Sequence, residues 1–307
     1  MITETRMTAD LGVIVAALTP RGKKGDVDFG AAFELIDRLC AASVRGIAFF
    51  TATGEYPAFR LDERTRLVYL AAKRSRVPVY AGVGSISLDD SVNLAREAQH
   101  SGAAGVFLPP PHFFRYPQEE LREFYLQFAA QVSGQQARGQ SQLWISNTPA
   151  FTSPIAGETA LELLATGRFA GLEDPAANAP FFASLPVAYL NSDDSAIARA
   201  HCSGAHGVIS GAASAIPELV VALDCALRVG DRGAVERLDA LLHEFLAWVD
   251  EFPYPVLLKV AAALRGIKLG SPTIPLSPGR QRRLDEFRQW FQAWGLRAGY
   301  PVVGKIR

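Results

Sequence analysis

Eight short apolar runs, seven of them followed by a segment of helical periodicity, constrain this chain more than any other feature. The runs span residues 12–18, 46–50, 77–83, 104–108, 143–146, 168–172, 186–191 and 207–210. Short apolar runs bounded by glycine, proline or polar residues read as buried strands. Between them, 31–42, 62–74, 88–100, 118–132, 159–165 and 176–184 read as helices, and four more at 216–227, 233–251, 255–264 and 279–294 fill the tail. Strands alternating with helices are βα units, and eight such strands in one chain predict an α/β (β/α)8 TIM barrel with a C-terminal helical extension. A doubly wound sheet would need a Gly-rich phosphate loop after the first strand, and Thr19-Pro-Arg-Gly-Lys23 is not one. The expected division is an extended or disordered lead over 1–11, a barrel over 12–228 and helices over 229–307.

Composition closes off several classes of function. The 307 residues carry a formal net charge of +0, which gives no electrostatic case for a nucleic acid or an anionic membrane as partner. No run approaches the roughly 18–20 apolar residues that span a bilayer, and the polar opening stretch has no apolar signal core. Cys40, Cys202 and Cys225 are widely spaced and form no Cys-x-x-Cys pair. They are expected to be reduced, mostly buried thiols of a cytoplasmic protein.

The sixth run ends in Leu172-Glu-Asp-Pro175. Pro175 has no N–H to give to a ladder, so the strand is predicted to stop near Leu172 and leave Glu173 and Asp174 at its C-terminal lip. That lip is where the sites of parallel barrels sit. Desolvation there raises a carboxyl pKa, and a nearby cation lowers it.

Several stretches carry a resemblance in the same order along the chain. They are Val13 to Pro20 with Asp26-Val-Asp-Phe29, Thr51-Ala-Thr-Gly-Glu55, Ala81-Gly-Val-Gly-Ser85, Gly207-Val-Ile-Ser210 with Pro217-Glu218, and Pro255-Val-Leu-Leu-Lys259. From Gly12 to about Leu284 the chain resembles the dihydrodipicolinate synthase / N-acetylneuraminate lyase family, (β/α)8 class I aldolases acting on pyruvate. The resemblance implies a lysine at the end of the sixth strand, in a Gly-hydrophobic-Lys-(Asp/Glu)-Ser motif, that forms a Schiff base with the ketone. Here that motif reads Gly171-Leu-Glu-Asp-Pro175, so Glu173 stands at the lysine position. The family's Tyr-Asn-x-Pro reads Ser146-Asn-Thr-Pro149, its carboxylate-binding arginine aligns with Phe151, and its Gly-Thr-Thr-Gly-Glu keeps only Thr53 of two threonines. Its Pro-Tyr-Tyr reads Pro111-His-Phe113, and Lys23, Lys24, Lys73, Lys259, Lys268 and Lys305 all fall away from strand ends.

A carboxylate cannot form an imine, so Schiff-base chemistry on pyruvate is expected to be absent. Glu173 is either an acid/base or ligand-binding carboxylate or a drifted residue in a wet mouth. The expected binding set is Thr53, Gly54, His112, Asn147 and Gly211. His112 can titrate near neutrality, but a packed loop aromatic is the preferred reading. Asp174, Asp193 and Asp194 read as structural, and Glu55 as a helix cap. Glu173, His112 and Asp193 come from different strand ends, so their spacing neither supports nor excludes a metal site; no metal or other cofactor is expected.

Three functions remain open. The first is a lyase, dehydratase or hydrolase on a small oxo- or hydroxy-acid, with Glu173 as acid/base. The second is a non-catalytic binding or regulatory barrel. The third is a pyruvate lyase using an unexpected amine. An open pocket lined by Glu173, Thr53, Asn147 and His112 favours the first, a mouth plugged by Phe113 and Phe151 the second, and a lysine reaching the barrel axis the third. The resemblance also implies a homodimer or homotetramer.

Overall fold

A computed structural model describes residues 11–132 and 141–300. The lead at 1–10, the loop expected from 134 to 142 as far as residue 140, Lys305 and the end of the extension lie outside the described residues.

The strands β1 (Gly12–Ala16), β2 (Gly46–Phe49), β3 (Val79–Gly82), β4 (Gly105–Leu108), β5 (Gln142–Ser146), β6 (Gly171–Asp174), β7 (Ala188–Asn191) and β8 (Gly207–Ser210) close into a parallel barrel in chain order. The helices α1 (Phe29–Ala41), α2 (Leu61–Arg74), α3 (Leu88–Ser101), α4 (Gln118–Val132), α5 (Gly157–Ala165), α6 (Ile197–Cys202) and α7 (Pro217–Val229) alternate with them, except between β6 and β7. Three more follow: α8 (Arg232–Val249), α9 (Val256–Leu264) and α10 (Pro278–Ala298). Asp28 caps α1, accepting a 3.0 Å bond from the Ala31 N–H, a contact that contributes about 1 kcal/mol.

Side chains alternate across each strand, so every second residue fills the barrel. The inner cluster holds Ile14, Tyr80, Phe107, Trp144 and Leu190. Ring centroids lie 5.6 Å apart for Tyr80–Phe107 and 5.7 Å for Phe107–Trp144. Small residues make room for these rings. A Cβ on Gly46 would stand 2.8 Å from the Tyr80 ring, and one on Gly171 would stand 2.5 Å from that of Trp144. Gly171 therefore faces inward, Leu172 joins the outer cluster between barrel and helices, and Glu173 faces inward again. Outside, the aromatic stripe Phe287, Trp290, Phe291 and Trp294 of α10 packs against Phe245 and Trp248 of α8.

Three expectations fail here. The sixth strand does not stop near Leu172, because Glu173 and Asp174 pair with Leu190 and Asn191 of β7 and their ladder outlasts the local breaker signal. The helix expected over 176–184 is only a 3-10 turn at Ala179–Phe182. Of the cysteines, Cys202 and Cys225 are exposed and Cys40 is half-buried; all three are free. The first two sit on helix faces that the barrel does not cover. The short helix α6 had no reading in the sequence.

Candidate active site

A cavity of about 450 Å³ opens at the C-terminal ends of the strands. Its deep wall includes Phe107, Ser146 and Glu173. Thr51, Ala52 and Glu55 from the segment after β2 line one part; His112, Phe113, Thr148 and Phe151 from the segments after β4 and β5 line another; and Tyr254 and Pro255, just before α9, complete it. Among the described residues that line it there is no lysine or arginine.

Glu173 is only 6% exposed. It sits opposite Ser146 in the β5–β6 ladder, and the Ser146 hydroxyl donates a 2.6 Å hydrogen bond to its Oε2. Burial pushes the carboxyl up to about 7, against the Ser146 hydrogen bond, and the neighbouring Asp174 adds to the rise. A group with that pKa exists in both forms near neutral pH, as proton exchange with a ligand requires.

Asp174 points away from the cavity and is structural, as expected. It accepts 2.8 Å bonds from Asn147 Nδ2 and from the Tyr189 hydroxyl. Asp194 accepts from the Ser210 hydroxyl and from Ala212 N–H, and Asp193 caps the turn that follows it. Burial lifts Asp194 to about 6.

Of the expected site residues, the structure brings Glu173 and His112 to the cavity wall. His112 Nδ1 lies 3.2 Å from the Tyr56 hydroxyl, and burial, aided by the charge of Arg64, lowers the imidazole pKa. The next residue, Phe113, holds a left-handed φ of 84° and is 84% exposed at the rim. Thr53, Gly54, Asn147 and Gly211 do not line the cavity. Asn147 spends its side chain locally, on Asp174 and on the Ile155 N–H. Gly54 packs against backbone, where a Cβ would lie 2.9 Å from Phe50 N. Thr53 is buried and bonded to Tyr254, and a Cβ on Gly211 would collide with the Tyr254 hydroxyl. These four hold the wall from behind. Among the described residues, no group of three His, Cys, Asp or Glu side chains could hold a metal ion, so Glu173, His112 and Asp193 do not assemble as ligands.

Glu55 is not a side-chain cap. It sits at the N-cap of a 3-10 turn without a capping bond, and its carboxylate pairs with Lys259 of α9 and accepts from the Thr273 hydroxyl. Lys259 is 3% exposed; burial lowers its pKa, opposed by Glu55. The sequence carried a signal for this pair, since a lone cation inside the apolar run Val256 to Leu264 needs a buried partner. Tyr254 had no such signal. At the wall, the Thr51 hydroxyl is buried and has no hydrogen-bond partner among the described residues.

Comparison with known proteins agrees with this architecture. The model of the dihydrodipicolinate synthetase family matches residues 9–137 and 183–293, two segments that flank β5 and β6. The 4-hydroxy-tetrahydrodipicolinate synthase of Azoarcus sp. is 30% identical over 279 residues, covering 87% of this chain and 92% of that protein. Among solved structures, the chloride-inhibited dihydrodipicolinate synthase of Acinetobacter baumannii, complexed with pyruvate, superposes with a TM-score of 0.84 at 23% identity, covering 94% of this chain and 99% of that one. The sialic acid aldolase of Ruminococcus gnavus superposes with a TM-score of 0.82 at 19% identity, covering 94% and 99%.

Proposed function

Because this chain belongs to the dihydrodipicolinate synthetase family, we propose that it is a carbon–carbon or carbon–oxygen lyase on a small oxo- or hydroxy-acid that works by acid/base catalysis at Glu173 instead of Schiff-base chemistry. One observation carries the reading: the inward residue at the end of β6, where the resemblance calls for a lysine, is a buried carboxyl with a pKa near 7. The ionised form takes a proton from carbon, and the protonated form returns it to a leaving oxygen. A positioned group of this kind typically contributes 10²–10⁴-fold. The unpartnered Thr51 hydroxyl supports a polar ligand atom at the same wall.

The non-catalytic barrel called for a mouth filled by Phe113 and Phe151. Their exposures of 84% and 52%, beside an open cavity, support the catalytic reading instead. The pyruvate lyase needed a free amine at the axis. Lys259, the buried lysine nearest this region, is engaged with Glu55, which supports setting that reading aside.

The proposal extends to a barrel over 12–228 with a helical extension to 307, to a homodimer or homotetramer, and to a cytoplasmic location. The exposed pair Phe113 and Phe114, with ring centroids 4.9 Å apart, supports a second copy at that rim. Among the described residues no helix is long and apolar enough to cross a membrane.

The test is borohydride reduction in the presence of pyruvate, read by intact mass beside an active family enzyme. The expected result is no adduct on this chain. An adduct mapped to any lysine, Lys259 included, would overturn the proposal.

A further inference from the structure

We propose that Tyr254 is a second catalytic residue of this cavity, a phenol that donates a hydrogen bond to the ligand's carbonyl oxygen while Glu173 moves the proton on carbon. The proposal rests on the reading of Glu173 given above and adds a group from a distant part of the chain. Tyr254 lies between Pro253 and Pro255, ahead of α9, yet its side chain lines the same cavity as Ser146 and Glu173.

Two further observations fix its hydroxyl. It lies 2.6 Å from Thr53 Oγ1, on the segment after β2, where Thr53 is 4% exposed. At the end of β8, any Cβ on Gly211 would collide with the same oxygen, so the barrel leaves a slot for it. The phenyl ring stands 6.3 Å from that of Phe151 at the rim. The ring is thus at the mouth and the hydroxyl is inside.

Burial, followed by the charges of Asp194 and Glu173, raises the phenol's pKa against the Thr53 hydrogen bond, so Tyr254 stays protonated and acts as a donor. Either hydroxyl can donate in this contact. In the proposed arrangement Thr53 donates to the phenol oxygen, which leaves the phenol proton for a ligand. Thr53 is then a positioning residue.

The step balances without an external reagent. The Glu173 carboxylate takes the Cα proton, and the C–H electron pair forms the enolate double bond. Negative charge gathers on the carbonyl oxygen, where Tyr254 donates. The charge then returns, expels a β-hydroxyl that takes the proton back from Glu173, and leaves water and an α,β-unsaturated carbonyl compound. A fixed donor at a developing oxyanion is commonly worth 10²–10³-fold.

The experiment uses the full chain and 4-hydroxy-2-oxo-4-phenylbutanoate, a β-hydroxy oxo-acid whose ring suits the aromatic wall. Cα deuterium exchange is followed by NMR and dehydration by ultraviolet absorbance. Tyr254→Phe is expected to lower kcat about 100-fold with KM changed less than about threefold. Gly211→Ala, which displaces the hydroxyl, is expected to give a similar loss, and the double variant to be no worse than either single one. Thermal unfolding midpoints of all variants report folding separately. If Glu173→Gln abolishes exchange and folded Tyr254→Phe keeps it within about twofold, this proposal fails and the reading of Glu173 stands. A wild-type chain that leaves the probe's Cα protons unexchanged overturns both.

Discussion

Ser146 and Glu173 face each other across the β5–β6 ladder, and the serine hydroxyl donates a 2.6 Å hydrogen bond to the glutamate's Oε2. The pair combines a carboxyl that burial drives toward its neutral form with a donor that favours its charge. Its protonation is therefore a measurable property of the fold.

The first prediction concerns stability against pH. The Glu173 carboxyl has an ordinary value of 4.5 and is raised to about 7 in the folded chain. Between those values the folded state holds a proton that the unfolded state has released, so stability falls as pH rises. A shift of that size is linked to roughly 3 kcal/mol across the window. Asp194, raised from 3.8 to about 6 by burial, acts in the same sense. Glu173→Gln is expected to flatten the profile between pH 5 and 7 and to be more stable than wild type at pH 8. Urea unfolding across that range checks it, and a profile unchanged by the substitution would rule the idea out.

Removing the serine donor should move the titration further. The Ser146 bond favours ionised Glu173, so Ser146→Ala is expected to raise the glutamate's pKa above its wild-type value. A hydrogen bond to a charged group is worth about 1.5–3 kcal/mol, which corresponds to roughly one to two pH units. Carboxyl carbon NMR titration of the labelled side chain reads it directly. A downward move would contradict the geometry.

A third prediction follows from Lys259 and Glu55. Their side chains are 3% and 14% exposed, and they join α9 to the segment after β2. Lys259→Met strands the carboxylate and is expected to destabilise the chain by about 3 kcal/mol. Adding Glu55→Leu should recover more than half of that loss, since two apolar groups need no partner. Denaturant midpoints of the single and double variants decide the matter, with additive losses as the contrary result.

The fourth prediction restores the family's nucleophile. Glu173→Lys places an amine on the inward face of β6, but Ser146 and Phe151 remain where the resemblance calls for a tyrosine and an arginine. The variant is expected to show no pyruvate lyase activity in a coupled assay, even where borohydride traps an adduct. Full activity from this one change would mean that the rest of the site had never been rebuilt.

The sequence alone determined the eight strands, their order and the lip on which Glu173 stands. These follow from local causes: apolar runs closed by breakers, helical periodicity between them, and a cap such as Asp28, whose partner is three residues away. The same local logic misjudged the end of β6. Pro175 marks where a strand must end, but β7 decided that Glu173 and Asp174 still belong to one.

Only the tertiary structure decided which residues share the cavity. Asn147 matched a motif yet turns its amide to Asp174, and Thr53 and Gly211 stand behind the wall as supports for Tyr254. Thr53 and Tyr254 are separated by 201 positions, and Glu55 meets Thr273 across 218. No periodicity spans such distances. These pairs form because closing the barrel brings β1 and β8 side by side and folds the C-terminal helices back over the segment after β2. Their identity is a consequence of packing, which a linear pattern of apolar and polar residues does not encode.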